Sequence, residues 1–347
     1  MKSSTHTTRS ILAAVALALC SVTIPAVHAA PLSFSFVQNF GSYGTTSGYF
    51  NGPTGVAVDT SGNVYVADSS NNRIVGFNPS NFTSSFTVFG GLGNGTGQFR
   101  YPNGVSVDSS GNVYVADRDN DRVDEFSSSN FAGFFVSFGN HGSAYGQLLG
   151  PSGVAIDKLG NVFVADAGNN RIVRFNPSDF GGTFTTFGGY ASVQFDRPRS
   201  VAIDGSGNVF VADYGNSRIV EFNPSDIGGT ITVFGGYGSV NGKFVGPTGV
   251  ALDSGGNVYV ADSGNNRIVE FNPSSFADTF AIFGYTGNGD GQFNSPISVA
   301  VDGTGHIFVA DAGNNRIVEL SGAVPEPASA VLLLSGGALL ALRRQRD

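Results

Sequence analysis

A chain of 347 residues with 50 Gly, 30 Phe, 11 Tyr and no Trp, 41% hydrophobic and only 13% charged, is too apolar to be disordered. Its apolar residues come in short bursts between Gly, Asn, Ser and Pro, a pattern of many strands and turns that excludes a helical bundle. Residues 31–323 hold 13 Lys and Arg against 24 Asp and Glu, and they lack the basic stripe on which nucleic-acid binding relies.

Taken in chain order, residues 1–30 have the layout of a secretory leader. Lys2 and Arg9 supply the positive start, Ile11 to Cys20 the apolar core, and Ala26-Val27-His28-Ala29-Ala30 a small-residue cleavage region. Leu19 is bulky where a lipoprotein motif wants a small residue before its cysteine. Cys20 is the only cysteine, so the chain after cleavage has no thiol for disulfides, metal ligation or nucleophilic chemistry.

From there the chain repeats itself. The segment Asp59–Asp68, Asp-Thr-Ser-Gly-Asn-Val-Tyr-Val-Ala-Asp, returns at Asp108, Asp157, Asp204, Asp253 and Asp302 with spacings of 49, 49, 47, 49 and 49 residues. Each unit contains four strand-like runs, as in Gly55–Asp59, Val64–Asp68, Arg73–Phe77 and Phe86–Gly90. Turn chemistry separates the runs: Ser-Gly-Asn, then Asn-Asn, then Asn-Pro-Ser. Four short antiparallel strands repeated radially predict an all-β, six-bladed propeller over residues 31–322. The last unit stops after its third run, Arg316–Leu320. The missing run stands at the other end, in Phe34–Gly41, so an N-terminal strand is expected to complete the last blade and remove the open edge.

Beyond the repeats, Val324-Pro325-Glu326-Pro327 leads into an apolar stretch from Ala328 to Leu342 and then Arg343-Arg344-Gln345-Arg346. Fifteen helical residues reach about 22 Å, short of a hydrocarbon core near 30 Å. This predicts a transient membrane contact, with the basic end kept on the cytoplasmic side.

Residues that recur in every unit serve the blade. The pairs Asp68/Arg73, Asp117/Arg122, Asp166/Arg171, Asp213/Arg218, Asp262/Arg267 and Asp311/Arg316 flank one loop in each copy and are expected to be structural ion pairs. Asp59 and its equivalents open Asp-x-x-Gly-Asn turns, where the carboxylate bonds its own backbone two residues on. Such turns offer too few oxygens for Ca²⁺, which wants six to eight ligands, so no cofactor is expected, with Ca²⁺ as the alternative. No metal site is assigned either. Only His141 and His306 follow the leader, and a His-ligated metal centre usually wants three protein ligands. His306 reads as a turn substitution and His141 as an exposed loop residue.

Residues that break the repeat are the candidates for ligand binding. The innermost strands should bring Thr54, Asn103, Ser152, Arg199, Thr248 and Ile297 to the mouth of the central channel. Arg199 is the only charge in that ring, with Arg197 two residues before it. The short, 47-residue unit also carries Tyr214 where others have Ser, Ala or Arg118. The candidate site is therefore Tyr101, Asn103, Arg118, Asp119, Arg197, Arg199 and Tyr214, whose donor forks and flat rings suit carbohydrate or peptide. No catalytic residue is assigned.

Two resemblances sharpen these expectations. The ordered elements Pro325-Glu326-Pro327, short apolar helix and Arg cluster resemble the PEP-CTERM sorting signal of Gram-negative bacteria over residues 323–347. That likeness implies processing by an exosortase and delivery to the cell surface or extracellular matrix, hence a polysaccharide or matrix-protein partner. The repeat itself, Pro-x-Gly-Val-Ala-Val-Asp, Gly-Asn-Val-Tyr-Val-Ala-Asp, Asn-Arg-Ile-Val and Phe-Gly with a Gly-rich loop and Gln-Phe, resembles the NHL repeat across residues 34–320. This implies a six-bladed propeller, and with the leader and the sorting tail the chain reads as a secreted or cell-surface binding or scaffold module. The alternative is a lyase- or lactonase-type propeller enzyme with a metal at the channel.

Overall fold

A computed structural model describes residues 34–131, 133–188 and 193–322. Residues 1–30, expected to be a leader, and the expected sorting motif Pro325, Glu326 and Pro327 lie outside the described residues. Among the described residues no helix is long and apolar enough to cross a membrane.

Six four-stranded antiparallel sheets follow one another. The innermost strands are Pro53–Val58, Pro102–Val107, Pro151–Ile156, Pro198–Ile203, Gly249–Leu252 and Pro296–Val301. Behind them lie second strands such as Val64–Asp68, third strands such as Arg73–Phe77 and outer strands such as Thr87–Phe89. In the sixth blade the outer strand is Ser35–Phe40, paired with the third strand Arg316–Ser321. The N-terminal strand thus closes the ring, as the truncated last repeat requires.

Each blade is sandwiched between two others, so its second strand has no solvent face. Val64 to Asp68 is buried at every position, as are its five equivalents from Val113, Val162, Val209, Val258 and Ile307 onward. The apolar clusters accordingly lie between blades; one joins Phe89 and Ile74 of the first to Phe99, Val105 and Phe126 of the second. Phe–Phe pairs recur at five interfaces, from Phe40–Phe77 at 5.1 Å to Phe187–Phe222 at 5.4 Å between centroids. In the last blade Leu320 takes the place of the third-strand Phe. There Phe34, just before the closing strand, packs edge-on against Phe283 at 6.0 Å.

The innermost strands approach each other closely. A Cβ on Gly55 would collide with the Asn103 carbonyl, and one on Gly153 would lie 2.8 Å from the Arg199 carbonyl. Close approach narrows the channel to a cavity of about 250 Å³ lined by all six inner strands.

The second blade holds a departure that the repeat pattern conceals. Asp124 occupies the third-strand position filled by Val75, Val173, Val220, Val269 and Val318 elsewhere, and it is fully buried. Arg122 Nε lies 3.0 Å from one carboxylate oxygen of Asp124 and 3.1 Å from an oxygen of Asp117, and the Ser137 hydroxyl donates to Asp124. Burial pushes the Asp124 carboxyl up to about 8 against Arg122 and Ser137, with the neighbouring Asp117 adding to the rise.

Candidate ligand site at the channel mouth

The Asp, Asn and Arg of each second-to-third-strand loop form one hydrogen-bond network. In the first blade Asp68 accepts from the Asn51 backbone N–H at 2.7 Å, from Asn71 Nδ2 at 2.8 Å and from Arg73 Nε at 2.7 Å. The other two guanidinium nitrogens of Arg73 donate to the carbonyls of Thr45, Thr46 and Tyr49 in the preceding inter-blade loop. The Asp–Arg ion pair recurs in all six blades at 2.7–3.1 Å, each with its Asp fully buried. It clamps the Gly-rich loop onto the blade, so both loop types lie on the face of the channel mouth.

The last residue of each second-to-third-strand loop joins neighbouring blades. Asn72, Asp121, Asn170, Ser217, Asn266 and Asn315 are all left-handed, with φ between 51° and 56°. Their side-chain oxygens accept from the backbone N–H of the residue before the innermost-strand proline of the next blade: Tyr101, Gly150, Arg197, Gly246, Ser295 and Gly52, at 2.7–3.2 Å. Those pre-proline residues are left-handed too, including the non-Gly Tyr101, Arg197 and Ser295 at 48°, 50° and 52°. An L side chain there costs on the order of 1 kcal/mol. This held strain falls on the rim of the mouth, where side chains must project.

On the opposite face the Asp-x-x-Gly-Asn turns behave as expected. Asp59 accepts from the Ser61 and Asn63 backbone N–H groups and from Asn63 Nδ2. His306 replaces that Asn and places Nδ1 3.2 Å from Asp302. His141 lies on the mouth face instead, three-quarters exposed, with Nδ1 2.7 Å from Asp121. The two imidazoles are therefore on opposite faces. Among the described residues no three His, Cys, Asp or Glu side chains gather as a metal site.

At the mouth itself, a cavity of about 290 Å³ is bounded by Asn103, Arg118, Arg199, Tyr214, Thr54 and Thr248, among others. The Arg199 guanidinium lies 5.0 Å from the Tyr214 ring centroid and that of Arg197 lies 5.4 Å from it. Arg197 Nε is 3.1 Å from Asp196, and Arg118 is 3.8 Å from Asp119. Among the described residues Arg199 has no ion pair and no side-chain hydrogen bond, although its Nε is buried. Burial, then the charges of Arg118 and Arg197, hold its pKa below the ordinary guanidinium range, with Tyr214 opposing.

Asn103, Arg118, Arg199 and Tyr214 thus meet around one cavity, and Arg197 adjoins it. Asp119 pairs with Arg118 without lining the cavity, and Tyr101, 46% exposed, does not line it either. Of the expected ring, Ser152 does not reach the mouth cavity; its hydroxyl is buried and donates to the Pro198 carbonyl at 2.9 Å. The sequence reading missed Tyr237, which is 79% exposed and stands with Arg197 and Tyr214 around an adjoining hollow of about 470 Å³. Its position matches Tyr43, Leu92, His141 and Thr286 in other inter-blade loops, a correspondence hidden by the variable spacing there.

Residues 50–77, 99–126, 148–175, 195–222, 244–271 and 293–320 each match the NHL repeat family. The chain carries six NHL repeats. No curated protein matches the chain significantly in sequence. Solved structures similar to this NHL propeller include a Bacteroides thetaiotaomicron protein of unknown function, at 16% identity and TM-score 0.64, covering 84% of this chain and 76% of that one. An auxiliary nutrient binding protein from Bacteroides ovatus is similar at 13% identity and TM-score 0.61, covering 84% and 77%. Virginiamycin B lyase from Staphylococcus aureus is similar at 15% identity and TM-score 0.56, covering 83% and 99%. At such identities the likeness is one of fold.

Proposed function

We propose that this NHL propeller is an extracellular binding module that holds a polysaccharide of the cell surface or its matrix at the channel mouth. The observation that carries the reading is Arg199. It is the one charge in a ring otherwise made of Thr, Asn, Ser and Ile, stacked on Tyr214 with its buried Nε unpartnered among the described residues. A donor fork held against an aromatic face is suited to a ligand rich in oxygen. A protein of similar fold, from Bacteroides ovatus, is described as an auxiliary nutrient binding protein, in keeping with this reading. Virginiamycin B lyase represents the enzymatic alternative, but the mouth here offers Arg, Tyr, Thr and Asn rather than a set of metal ligands.

In the same reading, residues 1–30 direct export, residues 31–322 form the working propeller, and residues 323–347 are a PEP-CTERM tail that an exosortase removes. Proline-to-alanine changes at Pro325 and Pro327 should then leave the tail uncleaved and the protein with the membrane fraction.

Affinity electrophoresis tests the binding. The purified protein should be retarded in gels containing exopolysaccharide from the producing cells, and Arg199→Ala should restore free migration. Equal retardation of both proteins would remove the channel mouth from the reading. No retardation, together with capture of a matrix protein through the same face, would replace polysaccharide by protein as the ligand.

A further inference from the structure

We infer that the mouth takes a carboxylate-bearing sugar unit of an acidic polysaccharide, whose chain continues outward over Tyr214 towards Tyr237. This rests on the polysaccharide reading above and narrows it to a charge class.

The first argument is a charge count. Arg118 and Arg199 line the mouth cavity and Arg197 adjoins it over the same Tyr214 ring, and two carboxylates, Asp119 and Asp196, pair with two of these three guanidiniums. One positive charge is left without a partner among the described residues. A neutral sugar would seal that charge under the ligand uncompensated, which is costly. A single carboxylate balances it, whereas a doubly charged phosphate monoester would leave an excess negative charge in an already acidic protein.

The second argument is orientation. The Arg199 guanidinium lies over the Tyr214 ring, 5.0 Å from its centroid, with its buried Nε unpartnered among the described residues, and its fork of N–H donors matches a planar two-oxygen acceptor. Asn103 lines the same cavity, and its amide makes no hydrogen bond among the described residues, so it can pair with a ring hydroxyl. At about 290 Å³ the cavity stands at the small end of ligand sites, room for one ring rather than a chain. The chain's continuation falls to the adjoining hollow, which shares Tyr214 and adds the exposed ring of Tyr237.

Calorimetry with the full protein separates the possibilities, using oligogalacturonate, the same chain carboxyl-reduced to a neutral galactan, and a sulfated galactan of equal length. Oligogalacturonate should bind about tenfold or more tightly than the reduced chain, the worth of a charge-assisted hydrogen-bonded pair. Raising the salt should weaken it. Arg199→Gln should abolish the preference, Arg199→Lys should keep part of it, and Tyr237→Ala should weaken longer oligomers more than a single galacturonate. Circular dichroism melts would establish that each variant is folded. Equal binding of the charged and reduced chains would overturn the carboxylate inference while leaving a polysaccharide module standing. Preference for the sulfated chain would overturn it in favour of another anion, and binding of none of the three would overturn the inference and count against the reading beneath it.

Discussion

Gln38 Nε2 donates a 2.7 Å hydrogen bond to the carboxylate of Glu319, tying together two residues from opposite ends of the propeller. Beside it the hydroxyls of Ser35 and Ser321 lie 2.6 Å apart, and the backbones pair antiparallel from Ser35 to Phe40. The ring closes through hydrogen bonds and the packing of Phe34 and Phe40, without a disulfide, since Cys20 is the only cysteine. Closure covers an edge that would otherwise pair with another chain.

The closing strand should therefore belong to the cooperative unit. Phe40 is buried against Phe77 and Phe82, 5.1 and 5.0 Å away. Phe40→Ala should cost about 3–5 kcal/mol in urea unfolding. Limited proteolysis of the variant should start within residues 35–40. A loss below about 1 kcal/mol would mean that the first strand is dispensable.

The left-handed loop residues should be worth two separable terms. Asn315 has φ 54° and its Oδ1 accepts from the Gly52 N–H at 2.8 Å across the closing interface. Asn315→Ala should cost about 2 kcal/mol, roughly half from the hydrogen bond and half from placing an alanine in the left-handed region. Asn315→Gly should cost only about 1 kcal/mol, because glycine adopts that conformation freely. Identical thermal shifts for the two variants would contradict this division.

Asp124 makes stability depend on pH. Its carboxyl is pushed up to about 8 by burial, so the folded state holds a proton that the unfolded state releases near pH 4. The folded state therefore binds more protons between those values, and stability should fall as the pH rises through this window. Asp124→Val, the residue of the other five blades, should stabilise the protein by about 1–4 kcal/mol at pH 8, with a smaller gain at pH 5. Equal gains at both pH values would show that the carboxyl titrates normally.

Arg199 should be a liability in the unliganded protein. Its buried Nε lacks a partner among the described residues and its neighbours Arg118 and Arg197 repel it. Arg199→Thr, the residue present at Thr54 and Thr248, should raise stability by about 1 kcal/mol while losing the ligand. This is the trade expected of a residue kept for binding. Destabilisation on the same substitution would mark Arg199 as part of the scaffold.

The six blades, their order and the closing strand were legible in the sequence, because each rests on local chemistry. Alternating apolar runs and Asp-x-x-Gly-Asn turns are contained within some fifty residues, six copies of one pattern reinforce one another, and the run missing from the last copy stands in recognisable form at Phe34–Gly41. Arg199, Tyr214 and Asn103 could be singled out as departures from the repeat. Their meeting around one cavity was decided by the tertiary structure, since they come from different loops and blades. The burial of Asp124 was likewise hidden, because a charged residue in an alternating strand reads as solvent-facing, and only the flanking blade removes the solvent. The bonds from Asn72 and its equivalents to the next blade, and the adjacency of Tyr237 to Tyr214, arise between units brought together by ring closure, beyond the reach of any pattern local to one repeat.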